Sequence, residues 1–240
     1  MTQTTQMSST YHREKKSILT FKGVTTESDD SYDSPIWEID FTLSEGDLLI
    51  IKLERGHFRL PIGDVAQGLM EPVNGEVKTF NKDWNTMPPD YSAAQRGRIG
   101  RVFETDGWYG YLNISENITL AQRHHSKREE ADIIDEAFHL ARYFGLPGLP
   151  VGHVSKTHKA DLRRASLVRA LIGKPRLIIL ERPTRMLFPE ILPPLINAVH
   201  AARDSGAAVL WLTSEALVWN DPGINATLKG AMYGSRMDIT

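Results

Sequence analysis

The chain has 240 residues, 41% of them hydrophobic and 24% charged, with a formal net charge of −2, the size and balance of one globular domain that buries a real core. That charge excludes a global field drawing the chain to nucleic acid or to an anionic lipid surface, and the lack of cysteine excludes disulfides, thiolate catalysis and cysteine-ligated metals. No segment offers the roughly 20 uninterrupted apolar residues of a membrane span, so membrane association has to come through a partner.

Residues 1–16 are polar and read as a flexible tail, with 17–240 as a single domain. Ser17 to Gly23 and Trp37 to Leu43 alternate like half-buried strands on either side of an acidic, Ser-rich loop, Glu27 to Ser34, and predict an antiparallel sheet. Asp47 to Leu53 is a short continuous apolar run, the pattern of a strand covered on both faces. A helix is expected over Ile62 to Met70, a strand over Gly75 to Phe80, a Pro/Asn/Ser-rich loop from Asp83 to Gln95, and a strand over Arg98 to Glu104. Helices fill Asn113 to Tyr143, and Lys159 to Ile172 is another. A buried strand at Leu177 to Leu180, a helix near Pro189 to Ser205 and a strand at Ala207 to Leu212 complete the pattern. Strands alternating with helices at these lengths predict an α/β fold with a mainly parallel sheet.

Ser44 to Val77, Ile99 to Leu120 and Thr157 to Thr184, taken in that order, resemble the ATP-binding domains of ABC transporters. Ser44 to Val77 keeps the frame around a phosphate loop: Gly46, Asp47, Gly68, Leu69, Pro72, Gly75, Glu76 and Val77 fall in place without a gap. Ile99 to Leu120 resembles the glutamine-loop strand and the Glu-Asn-Ile segment (Glu116, Asn117, Ile118), and Thr157 to Thr184 the signature helix and Walker B strand. The resemblance implies a P-loop NTPase-like, ABC-type core with a parallel sheet, an antiparallel β subdomain and a helical subdomain over about 113–159. It also implies ATP and magnesium as the family's ligands, an integral membrane permease as partner, and an ABC sibling or a second copy of the chain as dimer mate. The place is then cytoplasmic, on the inner face of the membrane through that partner.

Within the intact frame the chemistry-bearing positions differ. A phosphate loop needs glycines so that successive N–H groups can wrap phosphate, a lysine, and a hydroxyl for magnesium. Here Leu53 and Phe58 stand at its first and last glycines, Arg59 at the lysine, Leu60 at the serine and Pro61 at the threonine; Gly56 and a positive charge remain. Glu104 takes the glutamine-loop position, Glu181 and Arg182 the Walker B Asp-Glu, Phe188 the D-loop aspartate and Ser214 the switch histidine. The signature segment falls on Thr157 to Asp161, or on Val154 to His158, and neither gives serine followed by two glycines. An arginine at 182 cannot act as a base toward water.

These substitutions give the expectation of a catalytically inactive subunit with no catalytic residue, no cofactor and no metal, acting as a structural or regulatory part of a membrane transport complex. The Arg163 to Leu171 helix and the Glu-Asn-Ile segment look most similar to bacterial lipid-type transporters. Two readings compete: a divergent but active ATPase using Arg59 and Glu181, and a soluble interaction module that kept the fold but left transport. Among other residues, His124 and His125 with Lys127 and Arg128 read as a solvated helix start. Arg163, Arg164 and Arg169 read as a solvent or subunit face. Trp108, Tyr109 and Tyr111 fit either a docking surface or local packing, and Arg59 fits a salt bridge to a nearby acid.

Overall fold

The computed structural model describes residues 15–57, 59–105 and 107–240; most of the expected tail, and Phe58 at the last glycine position of the phosphate loop, lie outside the described residues. Two sheets form the frame. Strands β1 (Ser17–Thr25), β2 (Ile39–Ser44), β4 (Asn74–Thr79) and β5 (Lys82–Asp83) make an antiparallel sheet in the order β2-β1-β4-β5. The second has the order β10-β9-β3-β8-β7-β6, from β3 (Leu48–Lys52), β6 (Ile99–Val102), β7 (Leu177–Glu181), β8 (Ala208–Thr213), β9 (Leu228–Tyr233) and β10 (Arg236–Ile239). All of its pairings are parallel except β9 with β10.

The apolar runs explain why the central strands sit inside. Leu48, Ile50, Ile178, Leu180, Val209 and Trp211 join one core cluster, while Leu49, Ile51, Leu177, Ile179, Leu210 and Leu212 join the other. This is the period-two alternation of a strand buried on both faces. The first cluster includes residues of helices α3 (Ile114–His125), α4 (Glu130–Tyr143), α5 (Lys159–Leu171) and α6 (Leu192–Asp204). The second joins the antiparallel sheet to the short helix α1 (Ile62–Ala66). Gly100 lets β6 lie against α5: a Cβ there would collide with the Ala170 carbonyl and meet Pro175 Cγ at 3.1 Å.

The structure departs from the sequence pattern in four places. The expected loop at 83–95 contains a single 3-10 turn, Trp84–Thr86, and the helix α2 (Pro89–Arg96). Its start was hidden by a Pro-Pro pair in which Pro88 is extended and Pro89 occupies the first helical position, where a missing N–H costs nothing. Helix α1 ends at Ala66 rather than Met70, because Gly68 adopts φ +63° and lies against the Trp84 ring. Strand β2 begins at Ile39, after Glu38 with φ +50°, which leaves Trp37 outside and exposed. The C-terminal helix α7 (Ala216–Trp219) and the β9–β10 hairpin carry no strong period and were not anticipated.

Candidate nucleotide site and docking face

The loop following β3 lies at the carboxyl end of the parallel sheet, the place where open α/β sheets take ligands. Leu53 is buried and its N–H donates to the Thr213 carbonyl at 2.8 Å. Gly56 has φ +98°, and His57 N–H closes a turn onto the Glu54 carbonyl at 3.0 Å. Leu60 is buried, and Pro61 precedes α1. Arg59 is held by its backbone: its N–H donates to Asp33 Oδ2 at 2.6 Å and its carbonyl accepts from Asp33 N–H at 3.0 Å. Its guanidinium lies 5.0 Å from the Tyr32 ring centre. The acidic, Ser-rich loop between β1 and β2 thus straps the loop after β3.

Behind this loop sits a cluster that sequence reasoning missed. Arg101, on β6, is 6% exposed and lies among acidic side chains. Its Nη1 donates to Asp64 Oδ1 at 2.6 Å and to Gln67 Oε1 at 2.8 Å; its Nη2 and Nε donate to Glu181 Oε1 and Oε2 at 2.6 and 3.2 Å. Glu181 Oε2 also accepts from Glu104 N–H at 3.1 Å, and Asp64 Oδ2 accepts from the Tyr32 hydroxyl at 2.6 Å. Burial alone would raise the Asp64 carboxyl, but Arg101 and the Tyr32 hydroxyl outweigh it and hold it below the usual carboxylate range. Burial likewise opposes the Arg101 charge, and Glu181 and Asp64 more than restore it. The Tyr32 hydroxyl is pushed upward, by burial first and then by the Asp64 carboxylate that it bonds. The one signal in the sequence was an arginine inside the otherwise apolar Ile99–Val102 strand.

Glu104, Arg182 and Ser214 were placed by the sequence in three separate motifs, and the structure brings them together. Arg182 Nη1 donates to Glu104 Oε1 at 2.9 Å and its Nε donates to Ser214 Oγ at 3.0 Å; Arg185 reaches the same Glu104 oxygen at 2.7 Å. Arg182 adopts φ +47°, a conformation uncommon for a residue with a Cβ, and its N–H is fixed on the Leu212 carbonyl at 2.9 Å. Burial raises the Glu104 carboxyl despite the arginines around it.

The second face lies along the loop after β6. Asn117 accepts from Tyr109 N–H at 2.8 Å and donates to the Tyr109, Leu112 and Asn113 carbonyls at 3.1, 3.2 and 2.9 Å. A capping box between Asn113 and Glu116 starts α3. Arg163 donates to the Phe103 and Glu104 carbonyls at 2.8 and 3.3 Å, and Arg169 donates to the Gly107 carbonyl at 2.6 Å while lying 4.3 Å from the Trp108 ring centre. Arg163 and Arg169 therefore fasten this loop instead of forming a solvent face, while Arg164 pairs with Asp161 one turn away. Phe103, Trp108, Tyr109, Leu120, His124 and Arg169 are among the residues lining a groove of about 720 Å³. Tyr111 is 80% exposed beside it. His124 and His125 are exposed in the last turn of α3, a helix end and not a start.

This architecture is the P-loop NTPase-like fold of ABC-type cassettes, and the comparisons agree on the fold. The chain is 22% identical over 178 residues to the glutamine transport ATP-binding protein GlnQ of Geobacillus stearothermophilus, covering 74% of this chain and 73% of that protein. It is 24% identical over 173 residues to the glutamate/aspartate import ATP-binding protein GltL of Escherichia coli K12, covering 72% and 71%. Among solved structures, the dimeric ATP-binding cassette MJ0796 in a post-hydrolysis state bound to ADP and Pi superposes with a TM-score of 0.78 at 16% identity, covering 93% of this chain and 98% of that one. No protein-family model matches. The chain is thus similar in sequence and in fold to ATP-binding subunits of ABC transporters.

Two expectations are corrected by these findings. The chain was expected to be no enzyme and to take no cofactor, but its relatives are named as ATP-binding proteins and a structural neighbour holds the products of ATP hydrolysis. The altered motif residues therefore sit inside a fold shared with proteins named for ATP binding. Magnesium is a separate matter. It needs oxygen ligands at close to octahedral geometry, whereas Leu60 offers none and both Glu181 oxygens are engaged by Arg101 and by the Glu104 N–H. These residues do not fit the metal in the family's manner.

Proposed function

We infer that this chain is the ATP-binding subunit of an ABC-type import complex, seated on the cytoplasmic side of a membrane through an integral permease and working as a dimer with itself or with a sibling cassette. The observation that carries this reading is the match to proteins named as import ATP-binding proteins across about three quarters of the chain. The shape agreement with a dimeric cassette adds to it. No helix among the described residues is long and apolar enough to cross a membrane, so attachment through a permease fits the chain. The groove formed by Trp108, Leu120 and Arg169 is where we place that contact: it presents apolar area on a loop that Asn117 and Arg163 make rigid, and preorganised apolar surface is what favours docking. The names of these relatives concern amino-acid transport or import, and they lend nothing to the lipid cargo suggested by two short sequence segments.

The test is purification of tagged chain from detergent-solubilised membranes of the source cells. Wild type should carry an integral membrane protein through the column, and Leu120→Asp should lose it while unfolding at the same temperature. Retention of the membrane protein by the variant, or none with wild type, contradicts the docking assignment.

A further inference from the structure

We propose that Arg101 is a built-in cation that stands in for a divalent metal at this site, so that the chain takes ATP without magnesium. The proposal rests on the ATP-binding reading above for its nucleotide, and on the Asp64–Arg101–Glu181 cluster for its chemistry.

Glu181 ends β7, at the position that the resemblance gives to the Walker B aspartate. Arg101 grips both Glu181 oxygens, and its other branch holds Asp64 and Gln67. Tyr32 and the Glu104 N–H supply further donors to the two carboxylates. Gly63 is pressed onto the cluster: a Cβ there would overlap Glu181 Oε1 and stand 2.7 Å from Arg101 Nη2. Glycine's lack of a Cβ is what lets α1 lie this close to the Arg101–Glu181 pair. A guanidinium matches carboxylate oxygens two at a time and stays charged at every accessible pH, so the replacement is permanent and not gated by protonation. Displacing it would leave a buried arginine without its partners, a strongly unfavourable change.

This explains a coincidence of substitutions. Leu60 removes the hydroxyl ligand, and Arg101 satisfies the carboxylate that the missing metal would otherwise leave exposed to its own burial cost. A cassette that lost only one of the two would carry either an uncompensated buried acid or a metal held by half its ligands.

The experiment is calorimetric titration of ATP into the full chain, once with magnesium and once with EDTA. The two Kd values should agree within about twofold, and a loss of about tenfold or more in EDTA overturns the proposal. A second readout does not depend on nucleotide. Mn2+ should leave the wild-type Tm unchanged and raise that of Arg101→Gln, whose Asp64 and Glu181 are then unpaired; Mn2+ stabilisation of wild type, or an Arg101→Gln variant indifferent to it, overturns the proposal. Should Arg101→Gln not fold, Mn2+ paramagnetic resonance on wild type decides. A protein-bound signal that Glu181→Gln abolishes defeats the internal cation, and its absence supports it. Failure of ATP to bind in either buffer would sink the functional reading while leaving the Mn2+ comparison to judge Arg101.

Discussion

The two working faces of this molecule differ in how they use polarity. At the carboxyl end of the sheet, charge is turned inward: Arg101, Asp64 and Glu181 satisfy one another in a buried cluster, and Asp33 caps the Arg59 N–H. Along the loop after β6, polarity is turned into scaffolding, with Asn117, Arg163 and Arg169 binding backbone carbonyls so that Trp108 and Tyr109 line a surface groove. The first face is closed by ion pairs, the second opened by hydrogen bonds. An inward cluster costs more to break, because each lost partner strands a buried charge, whereas a scaffold loses one amide or one cap at a time.

That contrast orders the expected mutational effects. Arg101→Gln should destabilise most, by about 3–5 kcal/mol in urea titration, since it leaves two carboxylates buried without their cation. Asn117→Ala should cost about 1–3 kcal/mol by releasing the Tyr109 N–H and three carbonyls. It should also loosen the groove, seen as faster hydrogen exchange at Tyr109. Asn113→Ala removes only the cap of α3 and should cost about 1 kcal/mol. An equal loss in all three variants would erase the distinction between the faces.

Acid should act on the first face selectively. Asp64 titrates below its ordinary range, so its contribution is complete above the unfolded carboxylate value and disappears as pH falls through the lowered folded value. Glu104 has the opposite sign: its raised carboxyl favours the fold at low pH and loses that contribution as pH rises through its folded value. In Tm measured against pH, Asp64→Asn should flatten the acid limb and Glu104→Gln should steepen it. A single curve shared by wild type and both variants would show that neither group is coupled to folding.

The sequence made the frame legible because frame positions obey periods and punctuation. The runs of Leu48 to Lys52 and Leu177 to Glu181, the Glu-Asn-Ile segment and the glycines at 46, 68 and 75 each fit a rule of local structure. The cluster did not, since Tyr32, Asp64, Arg101 and Glu181 are scattered over 150 positions and meet only through the parallel register that sets Arg101 beside Ile179. Arg182 and Glu104 fall in two motifs far apart in the chain, and only the fold pairs them. The expectation of no activity rested on the joint alteration of the motif residues, and it is overturned by a likeness to ATP-binding proteins that spans most of the chain.

The most direct test of the account is photolabelling of the purified chain with 8-azido-ATP, with peptide mapping of the labelled site. The account predicts labelling that excess ATP suppresses and that maps near the loop after β3 or the Tyr32 strap. Absence of ATP-protectable labelling, with magnesium and without it, would contradict the assignment of this chain as an ATP-binding subunit.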